Sequence, residues 1–177
     1  FVHFGQLCER KGTAWLSEAL RLAFLKEPGL RMVWVGVGEF GNVNELLSRL
    51  GEHRHKVTVL YPLPKPLLLA VVNRAEAAVL PSLVDNLPNT VIESLMLGVP
   101  VIGTLGASID EIVEDGVTGD LVPLGDVALL ADALVRRWRE QNKAVRRTCW
   151  VGAVAESMTP ASAVHQLLSF VRSHQSV

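Results

Sequence analysis

Ala77-Ala78-Val79-Leu80-Pro81-Ser82-Leu83-Val84-Asp85-Asn86-Leu87-Pro88-Asn89-Thr90-Val91-Ile92-Glu93-Ser94-Leu95-Met96-Leu97-Gly98-Val99-Pro100-Val101-Ile102 is the stretch that decides the fold. It opens with a short apolar run, Ala77–Leu80, stopped by Pro81-Ser82. A polar loop follows. Asn89–Leu97 then reads as a helix, with Val91, Ile92, Leu95 and Met96 at helical spacing and Gly98 closing it. Val99–Ile102 is apolar again. Strand, helix and strand in this order make a crossover unit, and strands that are apolar on both sides are those of a parallel sheet covered on both faces.

The same alternation extends in both directions. Upstream, Phe1–Gly5 reads as a strand, Thr13–Lys26 as a helix broken by Pro28-Gly29, and Leu30–Val35 as a strand. Val43–Leu50 reads as a short helix, Val57–Leu60 as a strand and Pro66–Arg74 as a helix. Downstream, Ile109–Glu114 reads as a helix with Ser108 and Glu111 spaced as a capping box. Asp120–Val122 is a sixth strand, and Asp126 caps a helix through Arg139. About six β-α repeats predict an α/β domain, a Rossmann-like doubly wound parallel sheet with helices on both faces. The 36 residues from Asn142 to Val177 hold two more helical stretches, separated near Thr159-Pro160.

Composition narrows the function. The 177 residues suit one domain, and 49% hydrophobic residues supply its core. A formal net charge of −1 gives no basic face for nucleic acid. Every apolar run is interrupted short of the roughly 20 residues that a membrane span needs. Two cysteines, Cys8 and Cys149, lie far apart and read as reduced thiols of a cytosolic protein. The chain begins with a strand at Phe1 and shows no signal-peptide pattern. The expectation is a single domain, 1–177, cut from a longer protein whose other part lies on the N-terminal side.

In doubly wound sheets, ligands bind beyond the carboxyl ends of the strands, so the loops there carry the chemistry. The first is Gly5-Gln6-Leu7-Cys8-Glu9-Arg10-Lys11-Gly12, where Arg10 and Lys11 either meet a phosphate near a helix start or are solvated surface charge. The second, Gly36-Val37-Gly38-Glu39-Phe40-Gly41, is a literal GxGxxG. It follows the second strand instead of the first. The next strand ends Val59-Leu60-Tyr61, without the acid that would hold a ribose. A nicotinamide cofactor is therefore disfavoured, and close backbone approach to some ligand is the better reading. The fourth loop carries Asp85, and Glu93 lies about one turn into the helix after it. Two carboxylates so spaced can accept hydrogen bonds from vicinal hydroxyls of a sugar. The alternative is a turn aspartate and a helix-surface glutamate. The fifth loop, Gly103–Ser108, leads to Asp110 and Glu111, where capping is explanation enough.

Taken together, these loops resemble glycosyltransferase family 4. The pattern is Pro81-Ser82-x-x-Asp85-Asn86-x-Pro88-Asn89-x-x-x-Glu93-Ser94-x-x-x-Gly98-Val99-Pro100-Val101-Ile102. With it go Gly5-x-Leu7-x-x-x-Lys11-Gly12, Val35-Gly36-x-Gly38, Glu111-Ile112-Val113-x-Asp115-Gly116-x-Thr118-Gly119 and Leu121-Val122-Pro123. The resemblance covers residues 1 to about 140. It implies the donor-binding, C-terminal domain of a retaining enzyme of the GT-B fold, which moves a sugar from a nucleoside-diphosphate sugar, such as a UDP- or GDP-sugar, to an acceptor hydroxyl.

The resemblance also implies roles. Lys11 neutralises the donor diphosphate, and Asp85, in place of the family's glutamate, contacts hydroxyls of the transferred sugar. Glu93 holds the ribose. Backbone amides around Leu87–Thr90 meet sugar and phosphate, with Asn86, Pro88 and Asn89 in the same donor-binding loop, Gly36 and Gly38 allow close approach, and Leu60 and Tyr61 read the base through main chain. The family's arginine falls at Gln6, so diphosphate neutralisation is either weakened or shared by Arg10. The segment 160–177 resembles the closing helix of this fold.

The resemblance implies no cofactor and no metal, and the scattered His3, His53, His55, His165 and His174 are expected to be structural or surface residues. The partners implied are the nucleotide sugar and the absent N-terminal domain, without which the chain binds donor but does not transfer. The setting implied is polysaccharide biosynthesis in the cytoplasm, at the inner membrane face where the acceptor is lipid-linked. Two rivals stay open: half of a sugar-nucleotide epimerase, and a non-catalytic nucleotide-sugar-binding module.

Overall fold

The computed structural model describes residues 1–36, 40–86 and 88–140. Among them six strands form an all-parallel sheet: β1 (Val2–Phe4), β2 (Met32–Val35), β3 (Val57–Leu60), β4 (Ala78–Leu80), β5 (Val101–Thr104) and β6 (Gly119–Val122). Their spatial order is β3-β2-β1-β4-β5-β6. The helices are α1 (Thr13–Lys26), α2 (Phe40–Ser48), α3 (Lys65–Asn73), α4 (Asn89–Met96) and α5 (Val127–Glu140). The doubly wound sheet expected from the sequence is the one observed.

The strands are short and, apart from the edge strand β3 with its exposed Thr58, largely buried on both faces, and their side chains alternate between two cores. Met32, Trp34, Ala77, Val79, Ile102 and Val122 face one way, against Leu16, Leu20 and Phe24 of α1, Leu46 of α2 and Leu130 and Leu134 of α5. Val2, Phe4, Val35, Ala78, Leu80 and Val101 face the other, against Val72 of α3 and Val91 and Leu95 of α4. This period-two alternation between two apolar layers is why no strand shows a polar face in the sequence.

The chain winds outward in both directions from the β1–β4 boundary. After β1 it passes through α1 to β2 on one side, and after β4 through α4 to β5 on the other. The loops leaving β1 and β4 therefore part toward opposite faces and leave a crevice between them, the place where doubly wound folds hold ligands.

Element bounds differ from the sequence reading in physically interpretable ways. β5 begins at Val101 instead of Val99. Pro100 has no N–H to give the ladder, but its carbonyl accepts the Ala78 N–H at 2.9 Å. The helix expected at Ile109–Glu114 is not formed. Ile109 O accepts the N–H groups of Ile112 at 3.0 Å and Val113 at 2.8 Å, and the segment goes no further than a turn. The Ser108–Glu111 capping box is thus corrected. Ser108 has φ 55°, left-handed, outside the extended backbone typical of a serine that caps a helix with its side chain. The Asp110 carboxylate instead accepts the Gly106 N–H at 3.1 Å. The two helical stretches read after Asn142, with the closing segment 160–177, and Cys149, lie outside the described residues.

β6 brings in a charge. Asp120 is buried, 5% exposed at its side chain, and accepts hydrogen bonds from Arg136 Nη2 at 2.7 Å and from Arg137 Nε, both on α5. The sequence reading took Asp120 only as the start of a strand. In the structure it ties the last strand to the last described helix.

Candidate functional site

The crevice is built from the two loops that part at the β1–β4 boundary. After β1 the chain makes a 3-10 turn, Glu9–Lys11, that ends on Gly12 at φ 69°, with the Gly12 N–H on Glu9 O at 2.7 Å. A Cβ at Gly12 would stand 1.9 Å from Pro81 O, so only glycine lets the first loop lie against the start of the fourth. A second backbone link runs the same way: the Leu83 N–H donates to Arg10 O at 2.9 Å. Gly36, at the end of β2, is pressed as closely to the first loop, since its Cβ would fall 1.7 Å from Gly5 O.

This contact brings Lys11 and Asp85 together. Lys11 Nζ donates to Asp85 Oδ2, and the two side chains are 17% and 9% exposed. Ser82 Oγ donates to the same Asp85 oxygen at 3.3 Å. Thr104, at the end of β5, donates to Ser82 O. Asp85 is therefore held from the ends of three strands. The spacing in the sequence marks Lys11 and Asp85 separately as site residues. Their pairing comes from the strand order.

Glu93 lies in the second turn of α4, 25% exposed, and its Oε1 accepts a hydrogen bond from Lys65 Nζ at 2.5 Å. Lys65 is a site residue that sequence reasoning missed. The available signal was its position just past the Leu60–Tyr61 edge, between Pro64 and Pro66. Each of the two candidate carboxylates thus already has a lysine. No side chain caps α4, which starts after the buried Pro88.

The remaining candidates fall around this pair. Gln6 is exposed, and its side-chain oxygen accepts a 3.5 Å hydrogen bond from Arg10 Nη2. Arg10 is thereby directed to Gln6 and does not share the Lys11–Asp85 contact. Asn86 and Asn89 are exposed and Thr90 is half-buried. The Leu60 carbonyl accepts the Gly36 N–H at 3.3 Å. Tyr61 beside it is 65% exposed. Gly38 and Leu87 lie outside the described residues.

His3 sits in β1 beneath the first loop, 1% exposed. Its Nδ1 is 2.8 Å from Val79 O. Burial lowers its pKa to about 4, the nearby Lys11 charge acts in the same direction, and the Val79 and Gln6 backbone acceptors oppose them. The ring is neutral at pH 7.

Among the described residues no three His, Cys, Asp or Glu side chains group as metal ligands, and no helix is long and apolar enough to cross a membrane. What the crevice offers is two lysines, two carboxylates and the backbone of closely packed glycines. That set is suited to a ligand carrying both negative charge and hydroxyls.

Comparison with known proteins points to one family. An uncharacterized glycosyltransferase of Methanocaldococcus jannaschii is 33% identical over 105 residues, which is 59% of this chain and 25% of that protein. The putative colanic acid biosynthesis glycosyltransferase WcaL of Escherichia coli K12 is 29% identical over 143 residues, 75% of this chain and 34% of that protein. The chain thus spans a quarter to a third of the length of these relatives. Among solved structures, Anabaena HepE in complex with UDP superposes with a TM-score of 0.75 at 22% identity, covering 98% of this chain and 48% of that one. A mutant of S. aureus TarM superposes at 0.82 with 14% identity, covering 95% and 34%. These likenesses establish a shared fold, that of GT-B glycosyltransferases. The sequence model for glycosyl transferases group 1 matches residues 1–140. That match takes in every element from β1 to α5 and both loops whose side chains meet as Lys11 and Asp85, and the chain belongs to the glycosyl transferases group 1 family.

Proposed function

We propose that this chain is the donor-binding domain of a retaining transferase of glycosyltransferase family 4. The whole protein would move a sugar from a nucleoside diphosphate to an acceptor hydroxyl. The observation that carries the reading is the Lys11–Asp85 pair, held at the β1–β4 boundary by a glycine turn that admits no side chain. A diphosphate gains charge as its bond to the anomeric carbon breaks. Lys11 and the uncapped start of α4 are the groups that meet that charge, an electrostatic role that needs no metal ion. Displaced from Lys11, Asp85 turns to hydroxyls of the sugar, and Glu93 takes the ribose. Relatives named for colanic acid and amylovoran biosynthesis and a neighbour solved with UDP and glucose favour polysaccharide assembly and a nucleotide sugar.

On this reading a second, N-terminal domain supplies the acceptor site, the chain alone binds donor without transfer, and the protein acts in the cytoplasm. The test is calorimetric titration with UDP, GDP, ADP, their common sugar conjugates and NAD, repeated with Glu93→Ala. Saturable binding of one nucleoside diphosphate, lost in the variant, supports the reading and names the base. Binding of NAD in preference to all of them refutes it. Product analysis of the full-length protein then distinguishes transferase from epimerase.

A further inference from the structure

We infer that Lys65 is a positioning residue of the donor site: it fixes the Glu93 carboxylate so that the site prefers ribose over deoxyribose. The inference rests on the assignment of Glu93 to the donor ribose and adds a residue that assignment does not contain.

Three observations carry it. First, Lys65 is the first residue of α3, and a cation at a helix N-terminus is disfavoured by the dipole. Local structure gives the lysine no compensation. The first turn of α3 has no acid, and the positions a helical neighbour would occupy are Leu68 and Leu69. Its partner is Glu93, 28 residues away on α4, at 2.5 Å.

Second, the backbone under Lys65 is restricted from both sides. Pro64 precedes it at φ −51° and ψ 142°, and Pro66 follows it. Proline fixes its own φ and narrows the choices of the residue before it, so the lysine is aimed at less entropic cost than in an ordinary loop. Third, the bond engages Glu93 at Oε1. One oxygen taken by a lysine sets the carboxylate plane and leaves Oε2 to accept from a hydroxyl. An exposed ion pair adds little to stability, and Lys65 is 55% exposed, so its value is in orientation.

The test is titration of the wild-type protein, Lys65→Met, Lys65→Arg and Glu93→Gln with UDP, GDP and the 2′-deoxy form of each, with thermal melting of every variant. The wild type is expected to prefer the ribonucleotide. Lys65→Met should bind that ribonucleotide about tenfold more weakly, the loss of one charge-assisted hydrogen bond's orientation, with the deoxynucleotide unchanged. Lys65→Arg should restore the preference, and the Lys65→Met, Glu93→Gln double variant should lose no more than Glu93→Gln alone. Equal weakening of ribo- and deoxyribonucleotide would put the lysine on the phosphates and overturn the inference. So would an unchanged preference in Lys65→Met. A wild-type protein that binds none of the four compounds, and neither ADP nor its 2′-deoxy form, overturns the donor-site assignment itself, and this inference with it.

Discussion

Lys11 and Asp85 lie 74 residues apart in the chain and share a hydrogen bond across the boundary from which the sheet winds both ways. In this state each neutralises the other. On the proposed function, a diphosphate that recruits Lys11 would displace Asp85, and the released carboxylate would then be available to the sugar that the diphosphate carries. Replacing Asp85 with Asn uncouples the two events. Asp85→Asn is expected to bind free UDP or GDP about tenfold more tightly than wild type, because the lysine no longer has a charged competitor. It should also lose the preference for the sugar conjugate over the bare diphosphate. Competition titration of each pair measures both effects, and weaker binding of the bare diphosphate would contradict the displacement argument.

The closeness of the two loops that makes this pair depends on Gly12. Gly12→Ala meets two penalties, a left-handed φ of 69° and a Cβ 1.9 Å from the Pro81 carbonyl oxygen. Gly51 has a similar φ of 56° but open space around its Cβ. Gly51→Ala should cost about 1 kcal/mol, the conformational part alone. Gly12→Ala should cost upward of about 3 kcal/mol, because backbone must shift as well. Urea midpoints at constant m give the comparison. Equal costs would mean the loops part easily.

These contacts mark where the sequence is readable and where it is not. The bounds of α1 are legible because a glycine turn precedes it and Pro28-Gly29 ends its apolar stripe. The strands are legible because a two-sided apolar environment leaves continuous apolar runs. Ser108 and Glu111 stand at capping-box spacing, yet spacing does not report φ, and a left-handed Ser108 is followed by a turn and not a helix. Lys11, Asp85 and Glu93 are visible as residue types in strand-end loops. That Asp85 belongs to Lys11, and Glu93 to Lys65, follows from which strands and helices lie side by side. Asp120 is hidden for the same reason, since its partners lie a helix away.

That aspartate gives a stability prediction independent of ligand. Asp120 is 5% exposed and bonded by two arginines, of which Arg137 is 11% and Arg136 is 56% exposed. Asp120→Ala leaves a nearly buried guanidinium without its counter-charge and should cost about 3–5 kcal/mol. Arg137→Met should cost more than Arg136→Met, because water can replace the partner of an exposed group. Denaturant titration of the three variants orders them. An Arg136→Met loss as large as that of Arg137→Met would show that exposure does not decide the matter.

His3 predicts an acid limit on the fold. Its pKa is about 4 in the folded chain against an ordinary 6.5. Between these values the unfolded chain binds the extra proton and the folded one does not, so stability rises with pH across this window. The contribution is complete above about pH 6.5 and is lost as the pH falls toward 4. From pH 7 to pH 4.5 the loss from this one group comes to about 2 kcal/mol. In His3→Leu the hydrogen bond to Val79 O is gone, so the protein starts less stable at pH 7, but the fall between pH 7 and pH 4.5 should shrink by about that 2 kcal/mol. The lysine beside it sharpens the test: Lys11→Met removes a charge that depresses the His3 pKa, so it should raise the lower edge of the window and shrink the pH-dependent loss. Urea unfolding of wild type and both variants at pH 7, 5.5 and 4.5 reads these slopes. Parallel slopes in wild type and His3→Leu would assign the acid sensitivity to the carboxylates instead.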